Sequence, residues 1–180
     1  MTDIGSVTFS FDIDTDRLKA ALLSEDDIGV MIRCHFEAER AAIHVLDAVT
    51  AGRFGQKGSR RHQYLSDKLD LLEIIGLEAL HLEPLRYINR HRNKFAHDGQ
   101  DRISQTQVGE LWGAVTRAAS QLNEDTRFTF AGDDRYRDVR VGDLELRERY
   151  VIGASSAIGV FAALPEILTS LSSRSQTPSE

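Results

Sequence analysis

Apolar residues return every three or four positions through most of this chain, a period that favours helices over strands. After Ser24-Glu25-Asp26-Asp27, a hydroxyl and acids suited to a helix N-terminus, Ile28, Ile32, Phe36, Ile43 and Leu46 follow at helical spacing as far as Gly52. Leu65, Leu69, Leu72 and Ile75 or Gly76 line one side of a second helix. Pro84 opens a third, which stops at Asp98-Gly99, with Pro just inside the start and Gly just past the end. Ser104 with Gln107 forms a capping box for a fourth helix reaching Asn123, and a fifth runs from about Leu144 to Leu171, kinked at Pro165.

Three stretches alternate with period two instead. They are Val7 to Ile13, Arg127 to Phe130 and Tyr136 to Val141. The last two, joined by 131–135, read as a hairpin, and the strand at 7–13 is its natural third member, since a lone hairpin is marginal in water. The expected fold is mainly α: a helical bundle with a small accessory antiparallel sheet, forming a single domain over 1–171 and followed by a flexible tail over 172–180.

An apolar fraction of 41% and a charged fraction of 28% in 180 residues suit a globular domain with a real core. The one cysteine, Cys34, has no internal disulfide partner and reads as a small buried hydrophobe. No positively charged start followed by an apolar run marks a secretory signal, and the uncharged run from Tyr150 to Pro165 is shorter than the ~20 residues of a spanning helix. A cytoplasmic location without membrane partners is the expectation. No two of the six histidines stand three or four apart, and neither paired cysteines nor a phosphate-binding glycine loop occurs, so neither metal nor cofactor is expected.

The net charge of −6 disfavours nucleic acid, but the charge is uneven. Between Ala51 and His97 stand nine bases (Arg53, Lys57, Arg60, Arg61, Lys68, Arg86, Arg90, Arg92 and Lys94) and five acids, a local +4 that leaves −10 elsewhere. Such a stretch either attracts phosphate at short range or forms solvated helix faces.

Within it lies Arg92-Asn93-Lys94-Phe95-Ala96-His97. A fixed cation, an amide and an imidazole that titrates near neutrality suit cleavage of a phosphodiester. The spacing, Arg then four residues then His, with Asn directly after the Arg, resembles the signature of the HEPN superfamily. The order LSDKLDLLEIIGL (65–77) then LEPLRYINRHRNKFAHDG (82–99) resembles its MltR branch, the mannitol-operon repressor-like proteins. The resemblance covers roughly 25–125 as layout and 84–99 as motif.

The resemblance implies a helical bundle, a homodimer paired through the motif helix, and metal-independent, toxin-like endoribonuclease activity with Arg92, Asn93 and His97 as catalytic residues. RNA is then the substrate, and an antitoxin or regulatory protein a further partner. Arg53, Lys57, Arg60, Arg61, Arg86 and Lys94 are the accompanying candidates for RNA contact. The alternative it implies is a non-catalytic, MltR-like protein of transcription regulation acting through protein contacts.

Two points follow from periodicity alone. Arg86, Arg90, Asn93 and His97 form a polar stripe, whereas Arg92 falls seven after Leu85 and four after Ile88, inside the apolar rhythm. Glu39 interrupts the apolar stripe of the first helix in the same way, so a buried Glu39–Arg92 pair is expected, either fixing two helices or aiming Arg92 at phosphate. Arg90 shares a face with His97 and stands as the alternative working arginine.

Overall fold

The computed structural model describes residues 11–24, 26–57, 62–132 and 135–167, and over these the chain is mainly helical with one two-stranded antiparallel sheet. Seven α-helices occur among the described residues: α1 (Thr15–Leu22), α2 (Asp27–Val49), α3 (Arg53–Lys57), α4 (Leu65–Ile75), α5 (Ala79–His97), α6 (Gln105–Ala118) and α7 (Leu146–Ala162). The hairpin of β1 (Arg127–Gly132) and β2 (Arg135–Arg140) lies on the connection from α6 to α7. Its register sets Phe128 opposite Val139, both packed against the core. Of the expected strand at 7–13, residues 7–10 lie outside the described residues. Residues 11–13 are irregular, with Phe11 tilted against the His44 ring at 5.1 Å.

Local chemistry explains most boundaries. The Asp26 carboxylate accepts from the Ile28 and Gly29 amides at 3.0 and 2.9 Å and opens α2. Gly76, at φ +110°, closes α4 in the left-handed conformation that a glycine takes without strain. The expected capping box of Ser104 and Gln107 opens α6. The motif helix departs from expectation: α5 begins at Ala79 rather than at Pro84, which sits buried within it. As the sixth residue of α5, Pro84 lacks the N–H that would bond the Leu80 carbonyl, so the helix gives up one bond in its second turn. Two more helices lie where none was expected: α1, capped by Asp14, and the short α3 inside the basic stretch.

Core packing centres on α2. Val30, Met31, Cys34, Ala38, Ala41, Ala42, Val45 and Leu46 are fully buried, and the small residues among them let neighbouring helices approach closely. The stripe read from the sequence is split: Leu46 is fully buried and Ile43 packs half-buried against the core, but Ile28, Ile32 and Phe36 are 44%, 57% and 47% exposed. The N-terminal half of this helix has two apolar faces, and there periodicity alone selected the outer one.

Asp27 ties the N-terminal end together by accepting from the Ile103 amide at 2.8 Å and pairing with Arg147 at the start of α7. From Leu146 to Ile167 the chain is long and apolar enough to cross a membrane by length and composition. In this fold Tyr150, Val151, Ala154, Ile158 and Phe161 of that stretch are buried in the core.

Gly153 is where α7 meets α6. A Cβ there would stand 2.9 Å from Trp112 Nε1 and 3.2 Å from Cε2, and the indole is held by its bond to the Arg149 carbonyl at 2.8 Å. Gly153→Ala is therefore expected to destabilise the fold by about 1–3 kcal/mol through overpacking. Thermal melting should show a fall of several degrees, and an unchanged midpoint would contradict this packing.

Candidate functional site

Helix α5 is sorted by its core contacts. Leu82, Leu85, Ile88 and His91 are fully buried, and Phe95 packs against the same core, so the slot expected for Arg92 belongs to His91. Inside, His91 Nε2 meets Glu110 Oε2 of α6 at 2.9 Å and Nδ1 meets the Tyr150 hydroxyl of α7 at 3.1 Å. Burial lowers the His91 pKa, and the His91 bond holds the Glu110 carboxyl below its usual range. A neutral imidazole must then donate from Nε2 to the carboxylate and accept at Nδ1 from the Tyr150 O–H. The tyrosine oxygen also lies 3.3 Å from Met31 Sδ, and burial pushes its own pKa well up. Beside this cluster Cys34 is pushed up to about 12, again by burial, which makes its thiol inert.

Arg92 is consequently turned to the flank of α5 that faces α2. It is half-buried, its Nη1 donates to Asn93 Oδ1 at 3.3 Å, and it has no carboxylate partner among the described residues. Glu39 is taken by another cation: Lys68 of α4, 3% exposed, donates to Glu39 Oε1 at 2.7 Å and to the Gln63 carbonyl at 2.9 Å. The expected Glu39–Arg92 pair is therefore replaced by Glu39–Lys68, because Lys68 reaches the carboxylate from α4 while Arg92 is rotated off the core.

The polar stripe lies on the outer face as expected. Arg90, Asn93 and His97 are exposed, and Arg86 is half-buried. Its members are not equally available. Arg86 is held by Glu73 at 2.6 Å and Asp70 at 2.9 Å, bonds that raise its pKa. Arg90 has no carboxylate among the described residues and rests on the Tyr87 ring, 4.8 Å from its centroid. A cleft of about 500 Å³ beside them is lined by Glu83, Arg86, Tyr87, Arg90 and Arg117. Arg117 is paired with Glu83 at 2.9 Å, which leaves Arg90 as its unpaired cation. Of the other basic candidates, Lys94 is half-buried and Arg53 exposed on α3, whereas Arg60 and Arg61 and the side chain of Lys57 lie outside the description.

Two residues without a place in the motif join the site. His35 of α2 is half-buried, with Nε2 3.1 Å from Asn89 Oδ1 of α5, and its pKa is lowered by burial with further lowering from the Arg92 and Lys68 charges. Both stood in plain sight in the sequence, but no local pattern links positions 54 apart. No group of three metal-ligating side chains occurs among the described residues.

Compared with protein-family models, curated proteins and solved structures, this chain matches none.

Two outcomes check this geometry. Glu39→Ala leaves Lys68 buried without its carboxylate and is expected to cost about 3–5 kcal/mol, whereas Arg92→Ala should stay within about 1 kcal/mol. A double-mutant cycle in urea should find coupling for Glu39 with Lys68 and almost none for Glu39 with Arg92. The second outcome concerns acid. Unfolding lets His91 regain its ordinary 6.5 and Glu110 its ordinary 4.5, so in acid the unfolded state binds more protons. Stability is then lost as pH falls, first below 6.5 and again below 4.5. Urea midpoints measured against pH should show this decline, and His91→Gln should shrink its upper part to the share left by His35, whose pKa is also lowered by burial.

Proposed function

We propose that this protein is a HEPN-type endoribonuclease of the MltR-like kind, cutting RNA at a site built from Arg92, Asn93 and His97 in a homodimer. The observation that carries the reading is the state of Arg92. A half-buried guanidinium that bonds the exposed Asn93 amide and has no carboxylate among the described residues is a cation held ready for an anion from outside. A structural arginine would be expected to have its charge matched within the fold.

A dimer agrees with the surface beside it. His35 stands opposite Asn89, while Asp27 reaches Ile103 beyond the end of α5, so α2 and α5 run antiparallel. The exposed side chains of Ile28 and Ile32 thus lie level with the motif half of α5, while Phe36 carries the Arg17 guanidinium of α1 4.2 Å over its ring. Apolar area of this kind is what an isologous contact buries. A two-fold axis there brings two Arg/His sets into one cleft, with Arg92 stabilising charge on the phosphoryl oxygens, Asn93 positioning the phosphate and His97 transferring protons.

The same apolar face also suits the second reading, a regulatory protein that acts by contact with an antitoxin or another protein. Catalysis separates the two. Single-stranded RNA should be cut in the presence of chelator, leaving 2′,3′-cyclic phosphate ends. His97→Ala, on the exposed end of α5, should lower the rate about 10²–10⁴-fold without lowering the melting temperature. Pure, folded protein that leaves varied RNAs intact, or activity that survives His97→Ala, would favour the regulatory reading.

A further inference from the structure

We infer that His35 is the general base of this reaction, the group that takes the proton from the attacking ribose 2′-hydroxyl. The role belongs to the ribonuclease reading above and stands only with it. Transesterification needs one group to accept a proton and another to donate one. The motif supplies one histidine, and on α5 the five residues from Arg92 to His97 turn its imidazole about 140° away from the guanidinium. His35 lies on the Arg92 side instead, where α2 packs against α5.

Its surroundings prepare it for the task. The Asn89 side-chain oxygen accepts from Nε2–H, which fixes the tautomer and leaves the Nδ1 lone pair without a protein partner among the described residues. The charged groups around the ring are Arg92 of α5, Lys68 of α4 and Glu39 of α2. Glu39, the one carboxylate among them, is occupied by Lys68. Burial, helped by the two cations and opposed by the Asn89 bond and the Glu39 charge, lowers the His35 pKa and so favours the neutral imidazole that a base must be. Arg92 follows Asn89 by three residues on the same flank of α5, and its charge reaches the ring, so a phosphate held by Arg92 comes to the His35 side of the helix.

In the step, Nδ1 of His35 takes the 2′-hydroxyl proton while the 2′-oxygen forms a bond to phosphorus. The bond from phosphorus to the 5′-oxygen breaks, and that oxygen takes a proton from a His97 imidazolium, giving a 2′,3′-cyclic phosphate and a free 5′-hydroxyl. Water then returns each histidine to its starting state. Eight residues separate Asn89 from His97, about 12 Å along the helix, so one chain does not bring both imidazoles to one phosphate. Two α5 helices crossing antiparallel near Asn93 would bring the partner subunit's His97 level with Asn89, and hence with His35.

The test compares RNA cleavage by the wild-type chain, His35→Gln and His35→Ala. Glutamine retains an N–H for Asn89 but accepts no proton. His35→Gln should keep its melting temperature and its binding of an uncleavable 2′-deoxy oligonucleotide, yet cut about 10²–10⁴-fold more slowly. The wild-type profile should fall on the acid side below the ordinary histidine value of 6.5, and that limb should vanish in the variant. Free imidazole should restore part of the rate to His35→Ala, which a merely structural role would not allow. Wild-type cleavage with His35→Gln equally active overturns the base and leaves the ribonuclease reading standing. Absence of wild-type cleavage overturns both.

Discussion

The fold of the site depends on one buried imidazole. His91, held between Glu110 and Tyr150, ties α5 to α6 and α7 at a single point in the core. A helix turns about 100° per residue, so which of two adjacent side chains enters the core decides the direction of all the others. With His91 inside, Arg92 faces α2, and Asn93 and His97 face outward. With Arg92 inside, the guanidinium would need a buried carboxylate, and the one set against it in the sequence reading belongs to Lys68. The hydrogen bonds of a neutral histidine thus replace the ion pair that periodicity suggested, at a smaller desolvation cost.

The second constraint is the double face of α2. Its inner face, rich in alanine, meets the core, and its outer face carries the exposed Ile28 and Ile32, with His35 set against Asn89 of α5. Apolar area next to an unpaired cation has little to contribute to a lone subunit. It fits a contact in which a second surface covers the isoleucines while leaving the polar groups lining a cleft. Specificity and catalysis would then reside in the same assembly step.

Much of this was legible in the chain. Capping chemistry marked α2, α4 and α6 because it is local: Asp26, Gly76 and Ser104 act on their own termini. The hairpin followed from period two and its intervening glycine. Helix α5 was placed correctly at its C-terminal end and too late at its start, since Pro84 resembles a first-turn proline and sits buried a turn further on. Helix α1 was passed over because its eight residues fell below a visible apolar period.

The site was legible as composition and not as geometry. Arg92, Asn93 and His97 carry the spacing, but Leu85, Ile88 and Phe95 are compatible with either 91 or 92 as the next core position. A histidine does not register as core until its partners on α6 and α7 are known. Lys68 and His35 depend on contacts between helices far apart in sequence, which no local pattern encodes.

The central claim is that the joined face of α2 and α5 receives RNA. Photo-crosslinking of the intact protein to single-stranded RNA carrying halogenated uridines, followed by mass spectrometry of the adducts, addresses it directly. The expected adducts fall on α2 around His35 and on α5 between Arg86 and His97. Adducts confined to the hairpin or to the basic stretch after α3, or none at all, would contradict it.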